Sequence, residues 1–327
     1  MKMKSLLGIV LSLSILQSCQ NDETNIIQNE VNNKGITFSS IIDDAQNSRA
    51  YDTSWEANDV IGVFMLANSD KNVLATNIPY VTSKGKSYPL ALLHITHPDD
   101  DHVRNSERVY NELTPYLLCR NYTELYDDSA LINKDYVKNL DKKYRGDNPE
   151  IIDWGFEESK TFSIPIDTVK SDPKLKSKVR NNSSIIRYIK YNNVRILFAG
   201  DLETVGWEWL ANNNMNFRTL MKNGLDVLVA PHHGHDSGFP KALFDLTGNV
   251  RTIILSKDSE ATKEGTDVYT GYSNYADGVK YYNIGDKHSY FGKVLTTRSN
   301  GNIYLFIDPS NGLYVVTETA SPNHKKL

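Results

Sequence analysis

The sequence predicts an α/β domain over residues 90–320, preceded by a small all-β segment over residues 36–88. Three observations carry that reading. From residue 90 onward, near-continuous apolar runs of strand length alternate with stretches that carry a helical period. Before residue 89 there are only short strand-like runs, spaced by Asn, Asp, Ser and Gly. The 327 residues are 39% hydrophobic and 23% charged, enough for a sizeable core and unlike a disordered chain.

Composition also excludes several classes. With 36 Lys+Arg against 40 Asp+Glu the formal charge is −4, so the chain is no globally basic nucleic-acid coat. Two cysteines cannot build a disulfide framework. No apolar run reaches the roughly 18 residues of a spanning helix, which excludes a polytopic membrane protein.

The elements follow in chain order. Lys2 and Lys4 precede an apolar run over residues 6–16, which ends in Leu16-Gln17-Ser18-Cys19. A basic start, a short apolar core and a small residue before the break are the parts of a secretory signal. With Cys19 directly after Ser18, residues 1–18 resemble a bacterial lipoprotein signal peptide. That resemblance implies lipidation of Cys19 and anchoring to the outer membrane, on its periplasmic or surface face. Residues 19–35, polar and Asn-rich, then read as a tether.

Within the β segment, ITFSS, DVIGVFML and NIPYVT are the strand candidates, and no histidine occurs there. Ser48-Arg49-Ala50 and the stretch from Trp55 through Asp59 to Ile61-Gly62-Val63 resemble the opening of fimbrillin-type lipoproteins of Bacteroides-like bacteria. The likeness covers about 55 residues and implies the start of a β-sandwich.

In the α/β region, residues 90–96 form a first apolar strand, followed by the helix-like VRNSERVYNEL. Residues 127–180 are charged and Lys-rich, and read as an insertion or surface loops over a few strands. The strand IIRYIKY follows, then residues 194–199 with the helix-like ETVGWEWLANN, then strands over residues 225–230 and 250–255. GNIYLFID and NGLYVVTE read as a closing hairpin around Pro309-Ser310-Asn311-Gly312. Lys142, Lys143 and Arg145 form one basic patch and Lys174, Lys176 and Lys178 another; runs of that size read as solvated loops.

Three strands end in metal-capable clusters: Thr96-His97-Pro98-Asp99-Asp100-Asp101-His102, then Ala199-Gly200-Asp201-Leu202-Glu203, then Pro231-His232-His233-Gly234-His235-Asp236-Ser237-Gly238. Six of the eight histidines (His94, His97, His102, His232, His233, His235) lie in or beside these clusters. Folding does not require that. In open α/β sheets, sites form at the carboxyl ends of strands, and imidazoles and carboxylates placed there by separate strands assemble a divalent-metal site. Adjacent histidines such as His232 and His233 are expensive to bury without partners.

The order His-x-Asp-x-Asp-His, Gly-Asp-Leu-Glu, Pro-His-His-Gly resembles the metallo-β-lactamase superfamily. The nearest branch is the hydrolase domain of the competence DNA-uptake channel proteins. The resemblance spans about residues 90–308 and implies a four-layer αββα fold with two divalent cations, zinc or alternatively manganese, between the sheets. It implies that His97 and Asp99 hold the first cation, and Asp101 and His102 the second. Asp201 would bridge both, and His232 or His233, with His232 favoured, would complete the second site. Asp101, Asp201 and His235 are the candidate catalytic residues, His235 as an added proton donor. The reaction implied is hydrolysis of a small-molecule or nucleic-acid phosphodiester, or a related ester, outside the cytoplasm. A β-lactam substrate belongs to branches with a full histidine set.

Two departures from the pattern matter. No histidine occurs between His102 and His232; Asn181-Asn182-Ser183-Ser184 stands there, suited to contacting substrate or an outer water. Nor do residues 36–89 contain the family's opening "ID-x-G"-like turn. Either the β segment takes the place of the opening strands, or the chain is a mosaic with an incomplete hydrolase half. In the second case the protein is a fimbrillin-like surface adhesin lipoprotein with a vestigial hydrolase domain.

Overall fold

The computed structural model describes the backbone of three strands at 8–14, 36–41 and 63–68, then residues 92–97, 99, 102, 117–119, 156–256, 269–308 and 312–327. Within these, the chain is a mixed α/β protein with two mixed sheets. The expected helix over 103–113, the tether, Cys19, Trp55, Asp101 and the basic patch of Lys142, Lys143 and Arg145 lie outside the described residues.

The larger sheet has ten strands. Its chain-order members are β1 (Gly8–Ser14), β2 (Ile36–Ile41), β3 (Val63–Asn68), β4 (Leu92–His94) and β5 (Leu117–Cys119). The smaller sheet begins with β6 (Glu158–Phe162), β7 (Ile186–Tyr191), β8 (Val194–Phe198), β9 (Val227–Val229) and β10 (Thr252–Leu255). The larger sheet resumes with β11 (Val279–Asn283) and β12 (His288–Gly292), and β13 (Val294–Thr296) closes the smaller one. Last come β14 (Ile303–Asp308), β15 (Gly312–Thr317) and β16 (Lys325–Lys326). The orders are β16-β12-β11-β15-β14-β2-β1-β3-β4-β5 and β13-β10-β9-β8-β7-β6.

The two described strands of the early β segment belong to the larger sheet. β2 pairs antiparallel with β14, and β3 pairs antiparallel with β4 in the register Val63↔His94. β1, whose residues fall within the stretch that reads as a leader, lies between β2 and β3.

The near-continuous apolar runs of the smaller sheet follow from its position. A strand's side chains alternate between faces, so a strand covered on both sides is apolar at most positions. On β8, Val194, Ile196 and Phe198 face a core shared with the larger sheet, whereas Leu197 faces a second core under helices. β9 divides the same way, with Val227 and Val229 on one face and Leu228 on the other. Ile303, Leu305 and Ile307 of β14, with Leu313 and Val315 of β15, supply the opposite wall of the first core.

The second core is roofed by helices. α1 (Ile166–Ser171) and α2 (Val179–Asn182) precede β7, and α3 (Thr204–Asn213) and α4 (Met215–Met221) link β8 to β9. α5 (Lys241–Thr247) links β9 to β10. The last helices are α6 (Tyr269–Ser273) and α7 (Thr297–Asn300). These connections let β8, β9, β10 and β13 run parallel. Trp207 of α3 is fully buried and its indole N–H donates to the Leu202 carbonyl at 3.1 Å, which clamps the helix start over the loop that carries Asp201. Among the described residues no helix is long and apolar enough to cross a membrane.

Candidate metal centre

Asp201 leaves β8 through a turn that only glycine suits. Gly200 has φ +56°, and a Cβ there would stand 3.0 Å from the Cβ atoms of both Thr96 and Ser184. The strand ends are laced together at this point. The Asp201 N–H donates to Ser184 Oγ (3.1 Å), the His232 N–H to the Gly200 carbonyl (3.0 Å) and the Ile185 N–H to the Thr96 carbonyl (2.9 Å). Segments far apart in sequence thus meet through their backbones before any side chain is considered.

Four imidazoles surround the buried Asp201 carboxylate. His102 Nε2 is 3.3 Å from Oδ1; His233, His97 and His232 present Nε2 to Oδ2 at 3.7, 3.9 and 3.9 Å. In each case the other ring nitrogen is held by an oxygen. His233 Nδ1 lies 3.2 Å from the Ser256 carbonyl, which can only accept, so Nδ1 carries a proton and, in the neutral ring, the Nε2 lone pair points inward. His232 Nδ1 faces Glu203 Oε1 at 3.4 Å and Ser237 Oγ at 3.1 Å. The Thr96 hydroxyl stands 3.2 Å from His97 Nδ1 and 3.3 Å from His102 Nδ1, and its two lone pairs can accept from both. Histidine lone pairs directed at a carboxylate with their far nitrogens so anchored are the arrangement that metal-ligating histidines adopt. His97 Nε2 is buried without a hydrogen-bond partner.

The electrostatics agree with a cation site. Burial alone would raise the Asp201 carboxyl, but the positive charge that His102, His233 and His97 carry when protonated outweighs it and holds the group well below the usual carboxylate range. Glu203 is likewise pushed up by burial and brought below its ordinary value by hydrogen bonds from His232, Ser237 and Asn181. The Asn181 amide donates to Glu203 Oε1 at 2.7 Å. The Asn-rich stretch therefore braces Glu203, which in turn orients His232.

His232 and His233 both occupy left-handed backbone, at φ 48° and 52°. Non-glycine residues there cost on the order of 1 kcal/mol or more each, a strain that clusters at functional sites. Gly238 makes room for the turn, since a Cβ on it would lie 2.9 Å from His232 Cβ.

His97, His102, Asp201, His232 and His233 are brought together. Asp99 joins them, its Oδ2 3.6 Å from His97 Nε2 and its Oδ1 3.0 Å from Arg180 Nη1. His232 and His233 both reach Asp201, His233 slightly closer and with its ring 5.5 Å from that of His102. His235 stays outside this ring of groups: its imidazole lies 5.0 Å from that of His232, with Nδ1 held by Ser237 and Asp236. His94 faces elsewhere, with Nδ1 accepting from Arg187 Nε at 3.4 Å. Asp101 lies outside the described residues.

Several contributors escape sequence reasoning. Thr96 stands in the first cluster without a role, Ser184 reads as facing substrate or water and instead braces the Asp201 turn, and Ser256 acts through its backbone. Arg180 is hidden in a run of exposed basic residues. Glu203 carried a signal, as the last letter of Gly-Asp-Leu-Glu, but no role.

The ligand atoms of His97, His102 and Asp201 all lie within 4.8 Å of one another, so this buried group can hold a metal ion. No protein-family model matches the chain, and no curated protein does.

Proposed function

We propose that this chain is a metal-dependent hydrolase of the metallo-β-lactamase type, built on an αββα arrangement and acting on a phosphodiester or related ester. The observation that carries the reading is the set of imidazoles around one carboxylate with their outer nitrogens anchored by oxygens. Such convergence of lone pairs on an anion is unfavourable without a cation between them. For the fold, support comes from the helices over one face of the smaller sheet and the core it shares with the larger one.

In this reading two divalent cations bind, zinc or alternatively manganese, the mixed nitrogen and oxygen donors suiting either. His97 and Asp99 serve one cation, Asp101, His102 and His233 or His232 the other, and Asp201 both. When bound, such cations lower the pKa of a water and polarise a phosphoryl oxygen. The chain's own residues do the rest. Thr96, Ser256 and Glu203 fix the imidazoles, and His235, at the outer side of His232, is the candidate donor of its own ring proton to the leaving oxygen. The basic start, short apolar run and Cys19 support export and a lipid anchor in the outer membrane.

Turnover of bis-p-nitrophenyl phosphate by zinc- or manganese-loaded protein tests the reading. Asp201→Ala should abolish it. A purified chain without stoichiometric metal would favour the adhesin with a vestigial hydrolase domain, and metal-loaded wild type with no turnover a metal-binding module without catalysis.

A further inference from the structure

The half-open edge of the centre is where a substrate must enter, because His97 and Asp201 are buried. That edge carries a guanidinium. Asp99 and Arg180 are each a little under a third exposed, and Arg180 Nη1 holds Asp99 Oδ1 at 3.0 Å while Asp99 Oδ2 turns inward to His97. Arg180 thus stands one carboxylate away from the cluster.

Its position is built rather than incidental. The Arg180 carbonyl accepts from both the N–H (3.0 Å) and the hydroxyl (2.7 Å) of Ser183. The next residue, Asn181, is tied to Glu203, and Asn182 Nδ2 donates to the Leu175 carbonyl at 2.9 Å. The backbone beneath Arg180 is therefore fixed to the same network that orients His232. At this rim an approaching anion meets the part-exposed Asp99 carboxylate, and the guanidinium of Arg180 offsets that charge. A guanidinium presents five donors in a planar fork, suited to two oxygens of a phosphate while still touching a carboxylate.

We propose that Arg180 is a specificity-determining residue: it recognises a non-bridging oxygen of an anionic phosphodiester and so selects that substrate over a neutral ester. The inference rests on the hydrolase reading for its substrate, but its test includes a readout that needs no turnover. Zinc-loaded full-length wild type, Arg180→Gln and Arg180→Lys are compared for zinc content and for binding of inorganic phosphate by titration calorimetry. KM and kcat are measured on bis-p-nitrophenyl phosphate and on neutral p-nitrophenyl acetate. With zinc in saturating excess, so that any weakening of the Asp99 ligand is offset, Arg180→Gln should stay zinc-loaded and lose about ten- to a hundredfold in phosphate affinity, the usual range for one charge-assisted contact. Arg180→Lys should recover part of it. For the diester, KM should rise more than kcat falls, and the neutral ester should change less than the diester. Unchanged phosphate affinity in Arg180→Gln would overturn the proposal. Loss of zinc in both variants would also overturn it, since Arg180 would then act only by holding Asp99. If no variant hydrolyses anything yet phosphate binding still depends on Arg180, the hydrolase reading fails and the anion site stands.

Discussion

At the scale of single residues, the least conspicuous one has the sharpest consequence. Thr96 touches both His97 and His102 through one oxygen. Losing such an outer partner typically costs ten- to a hundredfold in metal affinity. Thr96→Val should therefore weaken zinc binding by about that factor in a competition titration with a chelator, and Thr96→Ser should restore it. His94 gives a separate prediction. Burial, and secondarily Arg187, lower its pKa from 6.5 to about 3. The unfolded chain then binds more protons between those values, so stability is full above pH 6.5 and falls as pH drops toward 3, by up to about 5 kcal/mol. Chemical denaturation from pH 7 to 4.5 should show that slope in wild type and a shallower one in His94→Gln. The histidines and acids were visible in sequence as three clusters at strand ends. The role of Thr96 was not, because a hydroxyl that bridges two rings looks like any strand threonine until the chain closes.

At the scale of elements, the turn after β8 is the most constrained. Gly200→Ala adds a Cβ between Thr96 and Ser184 in left-handed backbone. It should destabilise the protein by about 1–3 kcal/mol and weaken metal binding along with it, because Asp201 follows directly. Equal chelator-competition curves for Gly200→Ala and wild type would contradict the coupling. This level of organisation was the most legible. Near-continuous apolar runs read as strands covered on both faces, and β8, β9 and β10 lie where those runs are, with β7 and the β14–β15 hairpin also at the positions read for them. The stretch over residues 127–180 was less so. Its described part, from residue 156, holds β6, α1 and α2, whose short apolar positions such as Ile164, Val169 and Leu175 are buried among many charges. A pattern that sparse gives no clear period.

At the scale of the whole molecule, the centre joins the two sheets. His97 follows β4 of the larger sheet, whereas Asp201, His232 and His233 follow β8 and β9 of the smaller one. A cation held by both would staple them, so binding should appear as stability. At a hundredfold excess over Kd, one bound ion adds about 2.7 kcal/mol, a rise that a thermal scan with and without zinc detects and that EDTA reverses. Pairing of β2 and β3 beside β14 and β4 could not be read from sequence, since strands with turn-like spacing do not announce their partners. Cleavage before Cys19 would take β1 out from between β2 and β3, so the anchored form would have to close that gap or leave β2 and β3 unpaired on one side.

The claim beneath all of this is that residues from both sheets grip a cation. Elemental analysis of full-length protein, purified after exposure to zinc and manganese, measures it directly. The account predicts at least one ion per chain in wild type and less than about a tenth of that in a folded Asp201→Ala variant. Wild-type protein without bound metal, or equal metal in the two proteins, would contradict it.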